Sequence, residues 1–345
     1  MVQIPPDHAD RNDDLLHALQ FRAHPSNSED YASDGGWGHS QALGNGRYGE
    51  GARGLGSLTG RGMSNAQVNK MDQMQATFET LRAAASDEII AAKIFDHALT
   101  LIRRHHSGIY WGDRMLTIDK SAAFRDDPTF QCATKSAKSS TGANQYSSPD
   151  GIAWRFNTLI WAARQVLSVP GDFIECGVYE GDMSWVVTEI VDIASAGKQF
   201  HLYDTFAGFS SRYSSVDDYP DAPQFFEIAD RDYKRPEIYD YVVRRFASKP
   251  YVIIHKGAVP ETLGAAPESI AFLHLDMNSP GPELAALEIL YDRVSPGGIV
   301  IFDDYGWSLF RKQKEVADRF MASRGQTILE LPTGQGMVVK PQRLF

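Results

Sequence analysis

Short apolar runs alternate with segments of helical periodicity along the second half of the chain. Near-continuous apolar strands separated by helices form a parallel sheet that is covered on both faces. The last two runs are joined only by the short turn PTGQG, so they form an antiparallel edge. The sequence therefore predicts an α/β fold with a seven-stranded, mostly parallel sheet. The predicted strands are 172–177, 199–206, 251–257, 270–277, 298–305, 327–331 and 337–340, with helices near 151–167, 183–195, 236–247, 282–294 and 308–323.

The chain before this pattern divides into two further regions. Eleven of the 28 residues from Gly35 to Gly62 are glycine, and few are apolar, so we expect residues 1–66 to form a flexible arm. Its GNGRYG segment has the spacing of a dinucleotide fingerprint, but no strand precedes it, and composition explains it better. We expect residues 67–150 to be a helical N-terminal or lid region. Within it, residues 71–106 have apolar spacings of three and four, which predict one or two amphipathic helices. These helices pack on the main domain, residues 151–345, or on a second copy in a homo-oligomer.

Charge and cysteine content narrow the class of protein. The formal net charge of −10 argues against nucleic-acid and anionic-membrane partners. Two cysteines are too few for a disulfide framework, which favours a reducing compartment. We see no signal-peptide pattern and no apolar run approaching ~18 residues. The expectation is a soluble cytoplasmic enzyme.

The first predicted strand ends in ECGVYEG, which places Glu175, Gly177 and Gly181 between a strand and a helix. In open α/β sheets ligands bind beyond the carboxyl ends of the strands. This E-x-G-x-x-x-G form is typical of S-adenosylmethionine sites, where glycines admit the ligand and the helix N-terminus faces its carboxylate. Glu175 would interact with the cationic amino-bearing end, and Tyr179 and Ser184 complete the candidate loop. A plain tight turn is the alternative.

The next two strand ends add candidate cofactor contacts. Asp204 ends the second strand, 29 residues after Glu175, where a carboxylate can accept hydrogen bonds from ribose hydroxyls. Thr205 follows it, and Lys256 and Gly257 end the third strand. Alternatively, Asp204 only begins a turn.

The fourth and fifth strand ends bring three acids together. Asp276 ends one strand, and Asp303 and Asp304 end its neighbour, so the three carboxylates should converge. Oxygen donors of this kind suit Mg²⁺; solvated caps are the alternative. The candidate catalytic residues are Asp276, Asp304 and His274, and Asp276 is also a candidate cofactor contact. His274 shares a strand face with Asp276 and either orients that carboxylate, acts as a base or is a packed structural histidine.

Residues 207–235 form a long connection after the second strand. Connections of this length are often lids over a site. Its aromatic residues Phe225, Phe226 and Tyr233 pack on a substrate or anchor the loop to the body.

Four segments taken together, ECGVYEG, HLYDTFAGF, HLDMN and GGIVIFDDYG, resemble the macrocin O-methyltransferase family over roughly residues 108–340. The resemblance implies the seven-stranded sheet of class I methyltransferases and methyl transfer from S-adenosylmethionine to a sugar or polyketide hydroxyl. It also implies Mg²⁺ held by acids matching Asp276, Asp303 and Asp304. After the fourth strand, the chain has Met277-Asn278-Ser279-Pro280 where the family commonly has a second acid and an aromatic. Asn278 can still offer an oxygen to a metal, but the second acid is missing, which weakens the case for metal dependence.

The leading hypothesis is thus an S-adenosylmethionine-dependent O-methyltransferase acting on a small-molecule or glycan hydroxyl. Two alternatives stay open, because fold does not fix function. One is a metal-dependent hydroxylase or other tailoring enzyme on the same sheet, and the other is a non-catalytic, cofactor-binding interaction protein. We also expect a side chain at Gly177 to block the cofactor while sparing the fold, and removal of residues 1–62 to leave a folded protein.

Overall fold

The structure is a computed structural model that describes residues 88–138 and 150–342, with side chains from residue 97 onward. Its residues fall into two compact units that divide between Ser107 and Gly108. The first contributes the helix α1 (Glu88–His105), and the second contains the sheet. The glycine-rich arm, its GNGRYG segment, residues 67–87 and most of the polar loop before residue 150 lie outside the described residues.

The central sheet has seven strands, numbered after the two strands of a short hairpin that precedes them in the chain. They are β3 (Asp172–Cys176), β4 (Phe200–Asp204), β5 (Val252–Lys256), β6 (Ile270–Leu275), β7 (Val294–Phe302), β8 (Leu329–Glu330) and β9 (Gly336–Val339). Their order across the sheet is β5-β4-β3-β6-β7-β9-β8. The first five in this order pair in parallel, while β9 pairs antiparallel with both β7 and β8. The predicted α/β fold with a mostly parallel seven-stranded sheet is therefore confirmed.

Helices cover both faces of this sheet, because successive strand residues point to opposite sides. Phe173 belongs to one buried cluster and its neighbour Ile174 to the other. The Phe173 side packs against α2 (Pro128–Lys138), α3 (Ala153–Gln165), α4 (Asp182–Ile190) and α6 (Ile238–Arg245). The Ile174 side packs against α7 (Pro280–Leu290) and α8 (Arg311–Ser323). Within the described ranges, no helix is both long and apolar enough to cross a lipid bilayer.

Three elements escaped the sequence analysis. A hairpin of β1 (Tyr110–Gly112) and β2 (Met115–Thr117) precedes α2, and its strands are too short to show periodicity. The helix α2 itself was also not predicted. The connection 207–235 contains the helix α5 (Gln224–Tyr233), so it is partly ordered and not simply a loop.

Candidate active site

The segment between β3 and α4 forms a tight turn at the carboxyl edge of the sheet. Gly181 caps α4 in the left-handed region, with φ of 79°, and Tyr179 is also left-handed, with φ of 49°. Gly177 has φ of 89°, and a β-carbon built there would overlap the carbonyl group of Asp276 on the neighbouring strand end. The glycine is therefore needed for two backbones to pack. This corrects the expectation that a side chain at Gly177 would spare the fold.

Asp204 holds this turn in place. One of its carboxylate oxygens accepts hydrogen bonds from the backbone N–H groups of Val178 and Tyr179, at 2.7 and 2.9 Å. The other accepts from the N–H of Phe206 at 2.6 Å. Both oxygens therefore accept hydrogen bonds from the chain itself and hold the loop. The predicted role of Asp204, accepting hydrogen bonds from ribose hydroxyls, did not include these contacts.

The other residues expected near Asp204 lie beside it. Thr205 donates its hydroxyl to the Gly208 carbonyl at 2.6 Å, which closes the turn after β4. Lys256 pairs in register with Asp204 and places its ammonium 4.5 Å from the Tyr239 ring centroid. The N–H of Gly257 donates to the Asp204 carbonyl at 2.9 Å.

Three buried side-chain atoms between residues 175 and 184 lack hydrogen-bond partners among the described residues. Glu175 is 1% exposed, and its Oε1 lies 2.8 Å from Nδ1 of His274, but its Oε2 has no partner. Oε2 of Glu180 and the hydroxyl of Ser184, in the first turn of α4, are likewise buried and unpartnered. Because buried polar groups are nearly always satisfied, such atoms are candidates to bind a ligand, an ion or a water.

His274 lies between two carboxylates in the sheet. Its Nε2 is 3.5 Å from Oδ1 of Asp303, a charge contact without hydrogen-bond geometry. Burial lowers the pKa of His274, but Asp303 and Glu175 outweigh burial and raise that pKa to about 10. A protonated imidazole cannot accept a proton. The arrangement therefore favours His274 as a packed cation between Glu175 and Asp303 over a role as base. The predicted role of orienting Asp276 is not the one these contacts describe.

Asp303 is surrounded by donors from distant parts of the chain. Its Oδ2 pairs with NH1 of Arg155, and its Oδ1 accepts from Nε2 of Gln335 at 2.8 Å. Burial opposes ionisation of Asp303, but Arg155 and His274 hold its pKa below the ordinary value. NH1 of Arg155 also lies 3.3 Å from Oδ1 of Asp304. Asp303 is thus an ionised, fixed carboxylate.

Asp276 differs from its neighbours in having no hydrogen-bond donor for its carboxylate among the described residues. It is only half-buried, at the edge where β3, β6 and β7 end. Burial, and then the charges of Asp303 and Asp304, raise the pKa of Asp276 well above its ordinary value. Burial and Asp303 also raise the pKa of Asp304, to about 7, although Arg155 opposes this. The acids of this cluster therefore oppose one another's ionisation.

The structure brings the acids expected to bind a metal to this edge, but the cluster of possible ligands differs from the expected set by one residue. Across the described ranges, the group whose ligand atoms all lie within 4.8 Å of one another is His274, Asp276 and Asp303. Asp304 is not one of these three, although its charge acts on Asp276.

The connection 207–235 is fastened to the turn that follows β6. The hydroxyl of Tyr219 donates to the carbonyl of Asn278, and Ser279 Oγ lies 2.8 Å from Ser214 Oγ. Asn278 is left-handed, with φ of 54°. The loop therefore fixes the backbone immediately after Asp276.

The described contacts of the aromatic residues of α5 are with other residues of the protein, as in the anchoring role considered for them. Phe225 is buried against Tyr219 and Phe310, and so it anchors the loop. Tyr233 packs on Tyr179 at 5.3 Å between ring centroids, and the charges of Asp304 and Asp276 act on its hydroxyl. Phe226 stacks on Phe209, inside the loop's own cluster.

Several polar residues at this edge were not predicted from the sequence: Asp113, Arg155, Gln335 and the 1%-exposed Glu283, which accepts from Gln313. A charged residue within the apolar pattern of α3 was the signal available for Arg155. The other three follow no predicted strand end, which is where the search was made.

Comparison with known proteins agrees with the segments quoted from the sequence. The family description "Macrocin-O-methyltransferase (TylF)" matches residues 153–328. Mycinamicin III 3''-O-methyltransferase from Micromonospora griseorubida is 28% identical over 169 residues, which cover 44% of this chain and 62% of that protein. The chain thus spans less than two thirds of the length of this curated relative.

Two solved structures show the level of structural similarity. The O-methyltransferase NovP is 21% identical, with a TM-score of 0.47 over 55% of this chain and 80% of NovP. The calicheamicin methyltransferase CalS11 is 19% identical, with a TM-score of 0.45 over 64% of this chain and 93% of CalS11.

Proposed function

The chain belongs to the macrocin O-methyltransferase family, and from this premise we propose that it methylates a hydroxyl of a sugar or another natural product. S-adenosylmethionine is the proposed methyl donor, and it supplies a methyl group on a positively charged sulfur. One observation carries the proposal: at the same edge of the sheet, an oxygen of Glu175 and the carboxylate of Asp276 both lack a hydrogen-bond donor among the described residues.

The cofactor half of the proposed site consists of the turn after β3 and the start of α4. The buried Oε2 of Glu175 is a hydrogen-bond acceptor that suits an ammonium group. The N-terminus of α4 and the unpartnered hydroxyl of Ser184 provide donors that suit a carboxylate. The methionine end of S-adenosylmethionine carries both an ammonium and a carboxylate, so these protein groups support S-adenosylmethionine as the donor. Asp204 acts by holding the loop that carries these atoms.

Asp276 is the proposed proton acceptor. A hydroxyl is a weak nucleophile near neutral pH, so a base must take its proton as the oxygen attacks the methyl group. Asp276 is half-buried and keeps its carboxylate clear of hydrogen bonds from the described residues. Its raised pKa makes its ionised form a stronger base than an ordinary aspartate. Asp303 is less suited, because Arg155 and Gln335 occupy its oxygens.

We further propose Mg²⁺ as an activator, held by Asp276, Asp303 and Asp304. Three features of the chain support such an ion. Asp276 and Asp303 have ligand atoms within 4.8 Å of each other. The charges of Asp303 and Asp304 raise the pKa of Asp276, and Arg155 pairs with Asp303 and Asp304 but not with Asp276. The donors are oxygens, which Mg²⁺ prefers. When bound, the ion would polarise the acceptor hydroxyl.

A transfer assay tests the function. Purified protein is incubated with radiolabelled S-adenosylmethionine and a panel of glycosylated macrolides and nucleotide sugars, with Mg²⁺ or with excess chelator. We expect a product heavier by one CH₂ that forms only with Mg²⁺. Full transfer in chelator would refute the metal but not the methyl transfer, whereas a product that gains oxygen would establish the hydroxylase. Cofactor binding without any product would favour the non-catalytic alternative.

A further inference from the structure

Five side chains of alternating charge, buried or nearly so, run from the hairpin tip to the cofactor strand. Asp113 Oδ2 lies 2.6 Å from Nε of Arg155, whose NH1 pairs with Asp303. Asp303 faces His274 at 3.5 Å, and His274 faces Glu175 at 2.8 Å. None of these side chains is more than 12% exposed. The row joins the β1–β2 hairpin to strands β7, β6 and β3.

Arg155 is the member of this row that contacts both acids at the end of β7. Its guanidinium uses Nε and NH2 towards Asp113 and NH1 towards Asp303 and Asp304. A guanidinium is planar and presents its donors in a fixed fork, so it sets the angle between its partners. A lysine ammonium has no such fork.

The hairpin tip presents Asp113 in a tight left-handed turn. Asp113 and Arg114 form the two-residue turn, with φ of 52° and 58°. Turns of this kind favour Asn-Gly, Asp-Gly or Gly-Gly, so Asp113 suits the first position and Arg114 is the unusual residue. The guanidinium groups of Arg114 and Arg155 lie 5.4 and 5.1 Å from the ring centroid of Trp307. A left-handed arginine beside a polar site is a reason to look for a function of the tip.

We propose that Arg155 is a positioning residue, which fixes the carboxylates of Asp303 and Asp304 beside Asp276, and that Asp113 orients Arg155. The inference rests on the proposed function, because Asp276 is the proposed base. It makes the hairpin part of the acceptor side of the site, although no hairpin residue follows a strand end of the main sheet.

Binding of Mn²⁺ and of S-adenosylmethionine, each measured by calorimetry, separates this role from a merely structural one. The positive charge of Arg155 opposes a divalent ion at the same acids. We therefore expect Arg155→Met to bind Mn²⁺ at least tenfold more tightly, to bind S-adenosylmethionine within threefold of the unaltered protein, and to turn over at least 100-fold more slowly. A structural residue would weaken both binding constants instead.

Three further variants complete the test. Arg155→Lys keeps the charge but loses the fork, so it should fold and turn over at least tenfold more slowly. Asp113→Asn should lower turnover by three- to tenfold. Arg125→Met is the matched control: Arg125 fastens the same hairpin through Asp150 and the Ile109 carbonyl, at 2.5 and 3.2 Å. It should lower the melting temperature and leave turnover within threefold.

The inference is overturned if Arg155→Lys turns over within threefold of the unaltered protein, or if either Arg155 variant loses tenfold in S-adenosylmethionine affinity. An equal loss of turnover in Arg125→Met would also overturn it. If the unaltered protein binds no Mn²⁺, the proposed metal is refuted. The inference about Arg155 is then tested by whether its variants lose turnover while keeping S-adenosylmethionine affinity. If the unaltered protein methylates no acceptor, the proposed function is refuted, and the inference is then tested by the change in Mn²⁺ affinity of Arg155→Met.

Discussion

Gly177 and Asp276 meet at the ends of neighbouring strands, where a β-carbon on Gly177 would overlap the carbonyl group of Asp276. We predict that Gly177→Ala lowers the free energy of unfolding of the ligand-free protein by roughly 3 kcal/mol or more, from overpacking and a left-handed φ of 89°. Denaturant titration without ligand measures this.

Gly197 provides the control for that prediction. Its φ is 66°, but a β-carbon there would meet nothing within 4 Å. Gly197→Ala should therefore cost only the left-handed conformation, about 1 kcal/mol. Equal stability of the two variants, with cofactor affinity lost only at Gly177, would instead support the ligand-space interpretation.

Asp204→Asn tests whether that carboxylate fastens the glycine turn. It accepts three backbone N–H groups, and an amide can accept at only one of its two positions. We expect the ligand-free protein to lose about 2 kcal/mol of stability, because at least one donor is left unpaired. Unchanged stability of the ligand-free protein together with weaker S-adenosylmethionine binding would show that the ribose contact is the one that matters.

The sheet was predictable from the sequence because each buried strand is one apolar run between helical patterns. All seven predicted strands appear, each overlapping its predicted range. The β1–β2 hairpin was not predictable in this way, since each strand has three residues. The division of the chain also needed coordinates, because residues 108–138 group with the sheet and not with the helix before them.

The acids of the site could be predicted from the sequence, but their partners could not, because those partners lie far away in the sequence. Parallel strands place their carboxyl ends together, so Glu175, Asp276 and Asp303 could be grouped from their positions alone. Their partners follow no such rule: Arg155 lies 148 residues from Asp303 in the sequence, and Gln335 lies 32 residues from it. The roles of the acids therefore changed once those partners were known.

His274 predicts a pH dependence of stability. Its pKa is raised from 6.5 to about 10, so its contribution to stability is full below pH 6.5 and is lost as the pH rises through 10. The free energy of unfolding should fall over this interval by at most ~1.4 kcal/mol per pH unit. His274→Gln should show a shallower fall in denaturant titrations from pH 6 to 10. Parallel curves for the two proteins would contradict the assignment of a protonated His274.

Tyr219 predicts a link between the long connection and the acceptor. Tyr219→Phe removes the hydrogen bond to the Asn278 carbonyl, which should cost about 1 kcal/mol and loosen the backbone after Asp276. We expect the KM for the acceptor to rise more than that for S-adenosylmethionine. Tyr213→Phe is the control, because that hydroxyl pairs with Glu261 in a solvent-exposed contact, at 3.1 Å. A similar rise in KM for both variants would count against the link.

Asp276 and Asp303 predict opposite effects on stability for one chemical change. Asp303→Asn breaks contacts with Arg155 and His274 and leaves buried charges without a partner, which should cost about 3 kcal/mol.

Asp276→Asn removes a carboxylate that has no described partner and whose pKa is raised by burial and by its acidic neighbours. A raised pKa means that ionisation costs stability at any pH above the unfolded value of 3.8. Asp276→Asn should therefore stabilise the ligand-free protein by about 1 kcal/mol at pH 8, and this gain should vanish towards pH 3. Turnover of the same variant should fall at least 100-fold, because the proposed proton acceptor is gone. Denaturant titrations at the two pH values, with the transfer assay beside them, measure both effects. A variant that is more stable but fully active would remove Asp276 from the chemistry, while one that is less stable would show that a bound cation or an unrecognised donor already compensates its charge.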